Sequence, residues 1–186
     1  MTEVWHIEGA RDAVGELAQR DDASGRWVVE IARGAPARAH APDLVVLRVV
    51  LEGGAGADAS GPERVEELSG AAPRAGRQLG DDARALVVAF DPRRCRAEVD
   101  LVRLGRRRWR ESFADARDLV LVVARGTLVV RVSDEEEPYE LGTGCALWVE
   151  SPSAGTELDL VGAGSDARAV LVEVGPARDP NASTGR

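Results

Sequence analysis

The chain has 186 residues, with 32 acidic and 24 basic side chains, and every basic one is arginine. A net charge of -8 excludes a general binder of nucleic acid or of anionic membranes, because both need a basic face. The length suits one ordinary domain or two small ones sharing a core, and no apolar run approaches the roughly 20 residues that span a bilayer. Met1 to Ala10 contains Glu3 and Glu8 and no apolar signal core, so the expected location is the cytoplasm. Arginine-only, alanine-rich usage fits a GC-rich bacterial genome. Without lysine there is neither Schiff-base chemistry nor a Gly-Lys-Thr phosphate loop. Two cysteines, Cys95 and Cys145, and two histidines, His6 and His40, are too few for a disulfide framework or an ordinary structural zinc site.

Taken in chain order, a helix is expected first, over Ala10 to Gln19, where Ala10, Val14, Leu17 and Ala18 share one stripe. Short runs rich in valine and leucine follow, separated by glycine, proline or charge clusters. Strands are expected over Arg26 to Ala32, Leu44 to Leu51, Ala85 to Phe90, Ala97 to Leu104, Leu119 to Ala124, Leu128 to Val132, Ala146 to Glu150, Glu157 to Val161 and Ala169 to Val174. Between the second and third, Glu52 to Gln78 reads as loop with a helical turn at Pro62 to Leu68. Arg125-Gly126 reads as a tight turn, Glu135 to Pro138 as a turn between strands, and Gly175 to Arg186 as a mobile tail. Strands at this spacing predict an all-β antiparallel sandwich or barrel.

An internal repeat divides the chain. Gly80-Asp-Asp-Ala-Arg-Ala-Leu-Val-Val-Ala-Phe90 aligns with Gly164-Ser-Asp-Ala-Arg-Ala-Val-Leu-Val-Glu-Val174, six residues of eleven being identical. A valine-rich strand ending in a glycine turn precedes each copy, at Val49 to Gly53 and Val122 to Gly126. Two small β-barrels in tandem, residues 1–95 and 96–175 with a tail over 176–186, are therefore expected.

The second half, with Leu121-Val-Val-Ala-Arg-Gly126-Thr-Leu-Val-Val-Arg-Val132 and then Leu141-Gly-Thr-Gly-Cys-Ala-Leu-Trp-Val149, resembles a cupin, Cys145 standing where that pattern has Asp. More narrowly, Trp27 to Ala32, Val49 to Gly53, Gly80-Asp81 and Ala89 to Leu104 resemble the HutD/Ves family of bicupins. The family's N-terminal Trp-x-Asn-Gly-Gly-Gly-x-Thr-Arg-Glu-like signature is reduced to Trp5 and Arg11 to Ala18, and Asp91 stands in place of an Asn. The resemblance implies a bicupin linked to histidine utilisation that binds a small acidic metabolite as a regulator.

The residues limit the chemistry further. Metal-dependent cupins hold their ion with a His-x-His, a Glu and a later His. The corresponding positions are Phe113, Asp115 and Leu119 in the second half, with Glu157 for the later histidine, and His40, Pro42 and Val46 in the first. No metal and no cofactor is expected, and His40 reads as a loop or pocket-rim residue. Neither cysteine has a histidine near it in sequence, and Cys145 reads as an inert buried thiol. Arg106 to Arg110 reads as a solvated hairpin end paired with Glu111 or with Glu135 to Glu137. Among Arg48, Arg84, Arg93 and Arg94, Arg48 interrupts an apolar strand; facing a barrel interior it needs a partner, either Glu30 or a bound acid. The candidate ligand-binding residues are Glu30, His40, Arg48 and Asp91, with no catalytic residue assigned. The expected function is a metal-free binder of a small carboxylated metabolite. The alternatives are a metal-independent isomerase using an arginine with Glu30 or Asp91 for proton transfer, and a non-catalytic protein acting through dimerisation along a sheet edge or partner contact.

Overall fold

A computed structural model describes residues 3–7, 15–22, 25–33, 43–52, 65–67, 83–105, 107–113, 117–133 and 135–177. Fourteen strands occur among them: β1 (Glu3–Ile7), β2 (Gly15–Asp22), β3 (Gly25–Arg33), β4 (Val45–Glu52), β5 (Val65–Glu67), β6 (Arg84–Phe90), β7 (Cys95–Arg103), β8 (Arg108–Ser112), β9 (Asp118–Arg125), β10 (Thr127–Val132), β11 (Tyr139–Gly142), β12 (Ala146–Glu150), β13 (Glu157–Gly162) and β14 (Arg168–Pro176). They form three antiparallel sheets: A, in the order β1-β12-β9-β14-β7; B, in the order β2-β3-β6-β4-β5; and C, in the order β11-β10-β13-β8. The expected all-β architecture is present, with no helix among the described residues.

Sheet A lies between the other two. One face presents Leu119, Leu121, Val123, Leu147, Val149, Ala169 and Leu171 to a core shared with sheet C. The opposite face presents Val120, Val122, Ala124, Ala146, Val170, Val172 and Val174 to a core shared with sheet B. Burial on both faces explains why β9 and β14 are continuous apolar runs and not alternating ones. Sheet C has one solvated face, and its strands alternate: Leu128, Val130 and Val132 of β10 are buried, while Arg131 is exposed.

All nine expected strands occur, with boundaries displaced by two residues at most. The helix expected over Ala10 to Gln19 does not form where the structure describes it, since residues 15–19 belong to β2. Pairing with β3 outweighs a weak alanine-rich stripe, and the irregularity between Glu16 and Ala18 seats Ala18 in the core. The helical turn expected at Pro62 to Leu68 is replaced over 65–67 by β5, which pairs with β4. Gly175 and Pro176, assigned to the tail, close β14 opposite Arg96 and Cys95; residues 178–186 lie outside the described residues.

The Arg125-Gly126 turn is not a hairpin. β9 belongs to sheet A and β10 to sheet C, so Gly126 is the corner where the chain passes from one layer to the next. It has a φ of 79°, and a Cβ there would stand 3.1 Å from the Ala167 Cα. Glu135 to Pro138 does join two paired strands, β10 and β11.

The repeat is visible in strand order. Within sheet B the order β3-β6-β4-β5 and within sheet A the order β7-β14-β9-β12 each arrange four antiparallel strands as first, fourth, second and third in chain order. The two copies of the repeated sequence open β6 and β14, the fourth strand of each set.

One close approach pins the end of sheet C. A Cβ on Gly162 would overlap the Gly105 carbonyl oxygen and stand 3.0 Å from the Ala167 Cβ. Gly162→Ala is expected to lower stability by about 1–3 kcal/mol through overpacking, read from urea unfolding midpoints at unchanged slope.

Candidate binding site

The two faces of sheet B differ in kind. Trp27, Val29, Ile31, Leu86, Val88, Phe90 and Val49 turn towards sheet A. The intervening residues face away, and on that side cross-strand rows run Ala32–Ala85–Val50, Glu30–Val87–Arg48 and Val28–Ala89–Val46. Ala32, Ala85, Val87 and Ala89 are at most 1% exposed there. In the same setting Glu30 is 5% and Arg48 6% exposed, so a carboxylate and a guanidinium are buried among small apolar side chains. Glu16 pairs with Glu30, which extends the charged row to the β2 edge of the sheet. Two strand spacings separate the Glu30 and Arg48 Cα atoms, about 10 Å.

The interior between sheets A and C is different. It is filled by Leu104, Phe113, Leu119, Leu121, Leu128, Leu141, Leu147, Leu158, Leu160 and Leu171. Charge enters at one end only, where Arg117 Nη1 donates to Glu173 Oε2 at 2.7 Å and lies 3.8 Å from Glu98 Oε2. Burial, reinforced by the Glu173 and Asp100 charges, pushes the Glu111 carboxyl above its ordinary range. These groups are paired with one another at the rim of a packed apolar core.

Glu30 and Arg48 are therefore brought into one row. Asp91 is not: it follows the last residue of β6, four positions beyond Val87, about 13 Å along the strand. Its Oδ1 accepts the Arg93 N–H at 2.9 Å, and its carbonyl accepts the N–H groups of Arg94 and Cys95. That is the work of a turn residue. His40 lies outside the described residues. Arg94 reaches Asp21 at 3.3 Å. Among the described residues, no group of three or more His, Cys, Asp or Glu side chains is arranged to hold a metal ion. Cys95 is the buried thiol, raised in pKa by burial, whereas Cys145 is partly exposed.

The arginine cluster has other partners than those expected. Alternation along β8 turns Trp109 and Glu111 inwards and Arg108 and Arg110 outwards. Arg108 grips Asp159 with two hydrogen bonds, and Arg110 lies 3.7 Å from Glu157. With Arg131 and Glu135 to Glu137 they line an open groove of about 290 Å³ on sheet C. The Arg108 hydrogen bond holds the Asp159 carboxyl below its ordinary range.

A clamp that sequence order hides joins sheets B and A. Arg20 of β2 contacts Glu150 Oε1 at 2.7 Å and Asp118 Oδ2 at 3.1 Å, and it donates to Ser151 Oγ at 3.2 Å. Ser151 has a φ of 45°, a left-handed conformation uncommon for serine, and its N–H donates to Asp118 Oδ1 at 2.9 Å. Next to the clamp, Trp148 stacks on Trp5 and receives the edge of Trp27. No spacing rule links Arg20 to Asp118, which is 98 positions away.

Removing the guanidinium would strand two carboxylates, one of them almost fully buried. Arg20→Met is expected to cost about 2–4 kcal/mol. Desolvation raises the Asp118 carboxyl above its usual 3.8, so its contribution to stability is complete below pH 3.8 and is lost as pH rises through the raised value. Asp118→Asn should flatten that part of the stability profile, measured by chemical denaturation from pH 3 to 7.

No family model matches the chain, and no curated protein matches it. Solved structures do. A conserved protein of unknown function from Pseudomonas aeruginosa PAO1 is 21% identical, with a TM-score of 0.67 over 94% of this chain and 99% of that one. HutD from Pseudomonas fluorescens SBW25, in its formate condition, is 17% identical, with a TM-score of 0.58 over 95% of this chain and 100% of that one. Ylba from E. coli is 9% identical, with a TM-score of 0.53 over 96% and 92%. These likenesses, together with the three antiparallel sheets, make the fold a cupin-like β-sandwich.

Proposed function

We propose that the protein is a tandem cupin, its halves spanning residues 1–95 and 96–175, that binds a small carboxylated metabolite in its first half and serves as an accessory or regulatory protein. The matching strand orders of β3-β6-β4-β5 and β7-β14-β9-β12 support the duplication. The observation that carries the binding reading is the burial of Glu30 and Arg48 in one row, on a sheet face otherwise built of alanine and valine. Small side chains flank the pair where the second half has leucine. An arginine fork takes a carboxylate through two parallel hydrogen bonds, and a glutamate across the row takes an ammonium or amide N–H. The pair is thus complementary to an amino acid or a close derivative. The structural likeness to HutD points the search towards histidine and its breakdown products. Asp91 is committed to its turn, which leaves Glu30 as the carboxylate that the isomerase alternative would use with Arg48.

The test is a thermal-shift screen of amino acids, histidine first, and their carboxylated degradation products. At a ligand concentration of about 100 times Kd, binding contributes roughly 2.7 kcal/mol, which for a chain of this size raises Tm by about 5 °C or more. Arg48→Met should abolish the shift while the variant still unfolds cooperatively. If no small acid raises Tm, the binding reading falls and the interaction-protein alternative takes its place.

A further inference from the structure

The repeated Gly-x-Asp-Ala-Arg-Ala sequence places an arginine at the first position of β6, Arg84, and of β14, Arg168. Each is flanked across the sheet, Arg84 by Arg33 and Glu52, Arg168 by Arg103 and Arg125. Arg84 shares its face of β6 with Leu86 and Val88, and Arg168 shares its face of β14 with Val170 and Val172, so both open onto the seam between sheets B and A. Arg84 lines a narrow crevice there with Ile31, Leu51, Ala124 and Gly144.

In the second copy three arginines therefore stand side by side on β7, β14 and β9. Like charges directly opposite one another in a sheet are destabilising. Asp166 lies against two of them. Its Oδ1 accepts the Arg168 Nε–H at 2.8 Å, and its Oδ2 lies 3.1 Å from the Arg125 Nε. Both carboxylate oxygens are thereby engaged, by Arg168 and Arg125. The Arg168 side chain is 16% exposed, and its Nη1 is buried with no hydrogen-bond partner among the described residues. A buried donor without an acceptor is destabilising, the more so when charged. Arg103, exposed and directly opposite, forms no ion pair among the described residues. The irregularity in the β9–β14 register falls at this row, where it turns Arg125 towards Asp166.

We infer that this end of the seam binds a doubly charged tetrahedral oxyanion, a phosphate group, with Arg168 as the buried anchor and Arg103 as the second cation. Such a dianion supplies the acceptor that Arg168 Nη1 lacks, and its several oxygens can meet donors from neighbouring strands about 5 Å apart. The site is separate from the Glu30–Arg48 row, which lies on the far face of sheet B.

The test titrates the whole protein with inorganic phosphate by calorimetry, at ionic strength held constant with sodium chloride. Wild type should bind one phosphate, Arg168→Gln should weaken binding by about tenfold or more, and Arg103→Gln should weaken it by about threefold or more, as expected for lost charged hydrogen bonds. The exposed Arg103 variant reads the site even if Arg168→Gln folds poorly. Phenyl phosphate distinguishes the sources: tighter binding than inorganic phosphate assigns a phosphorylated metabolite, and equal binding assigns the free ion. Arg48→Met should bind phosphate as wild type does, whatever the outcome of the carboxylate screen. Heat no different from added chloride, or an Arg103→Gln variant that binds as wild type, overturns the inference.

Discussion

The burial of sheet A on both faces is the constraint from which the rest of the molecule follows. A sheet covered on one side is satisfied by alternating residues, but this one must supply leucine to sheet C and valine to sheet B from the same strands. Neither outer sheet has a partner on that side other than sheet A. Sheet A thus contributes to two apolar cores at once. Even the first strand, β1, belongs to the second half's sheet through its pairing with β12.

That arrangement decides where polar chemistry can be placed. The core between sheets A and C is packed with leucine, and its charged rim residues satisfy each other through Arg117. The seam between sheets A and B is apolar along its length, with charge held at its ends. At one end four oxygen-bearing side chains, Asp22, Asp118, Glu150 and Ser151, surround Arg20. At the other end Asp166 lies against both Arg125 and Arg168. The far face of sheet B is where a carboxylate and a guanidinium are buried together against alanine and valine. Chemistry at the last two places uses arginine throughout, because this chain has no lysine. A guanidinium keeps its charge under burial that would neutralise an ammonium.

Much of this was legible in the chain. Nine strands and the all-β class follow from short β-branched runs and turn residues. The buried charge of Arg48 was legible for the same reason: an arginine within Val-Val-Leu-Arg-Val-Val demands a partner. What misled was local ambiguity. Leu17 and Ala18 fit a helical stripe as well as a strand, and only the pairing of β2 with β3 decides between them. Arg108 and Glu111 are three positions apart, yet pleating sends them to opposite faces of β8, and Asp159, 51 positions away, becomes the partner.

The sequence by itself determined the secondary structure class, the places of nine strands and the kind of cation available, since these depend on composition and on residues within a few positions of one another. The tertiary structure alone decided which face of each strand is inside, and that Gly126 is a corner between layers and not a hairpin. It also decided which arginine meets which acid. Arg20 finds Asp118, and Arg103 is set beside Arg168, only because sheets bring distant strands within about 5 Å. Register and layer stacking are properties of the whole chain, and no local pattern encodes them.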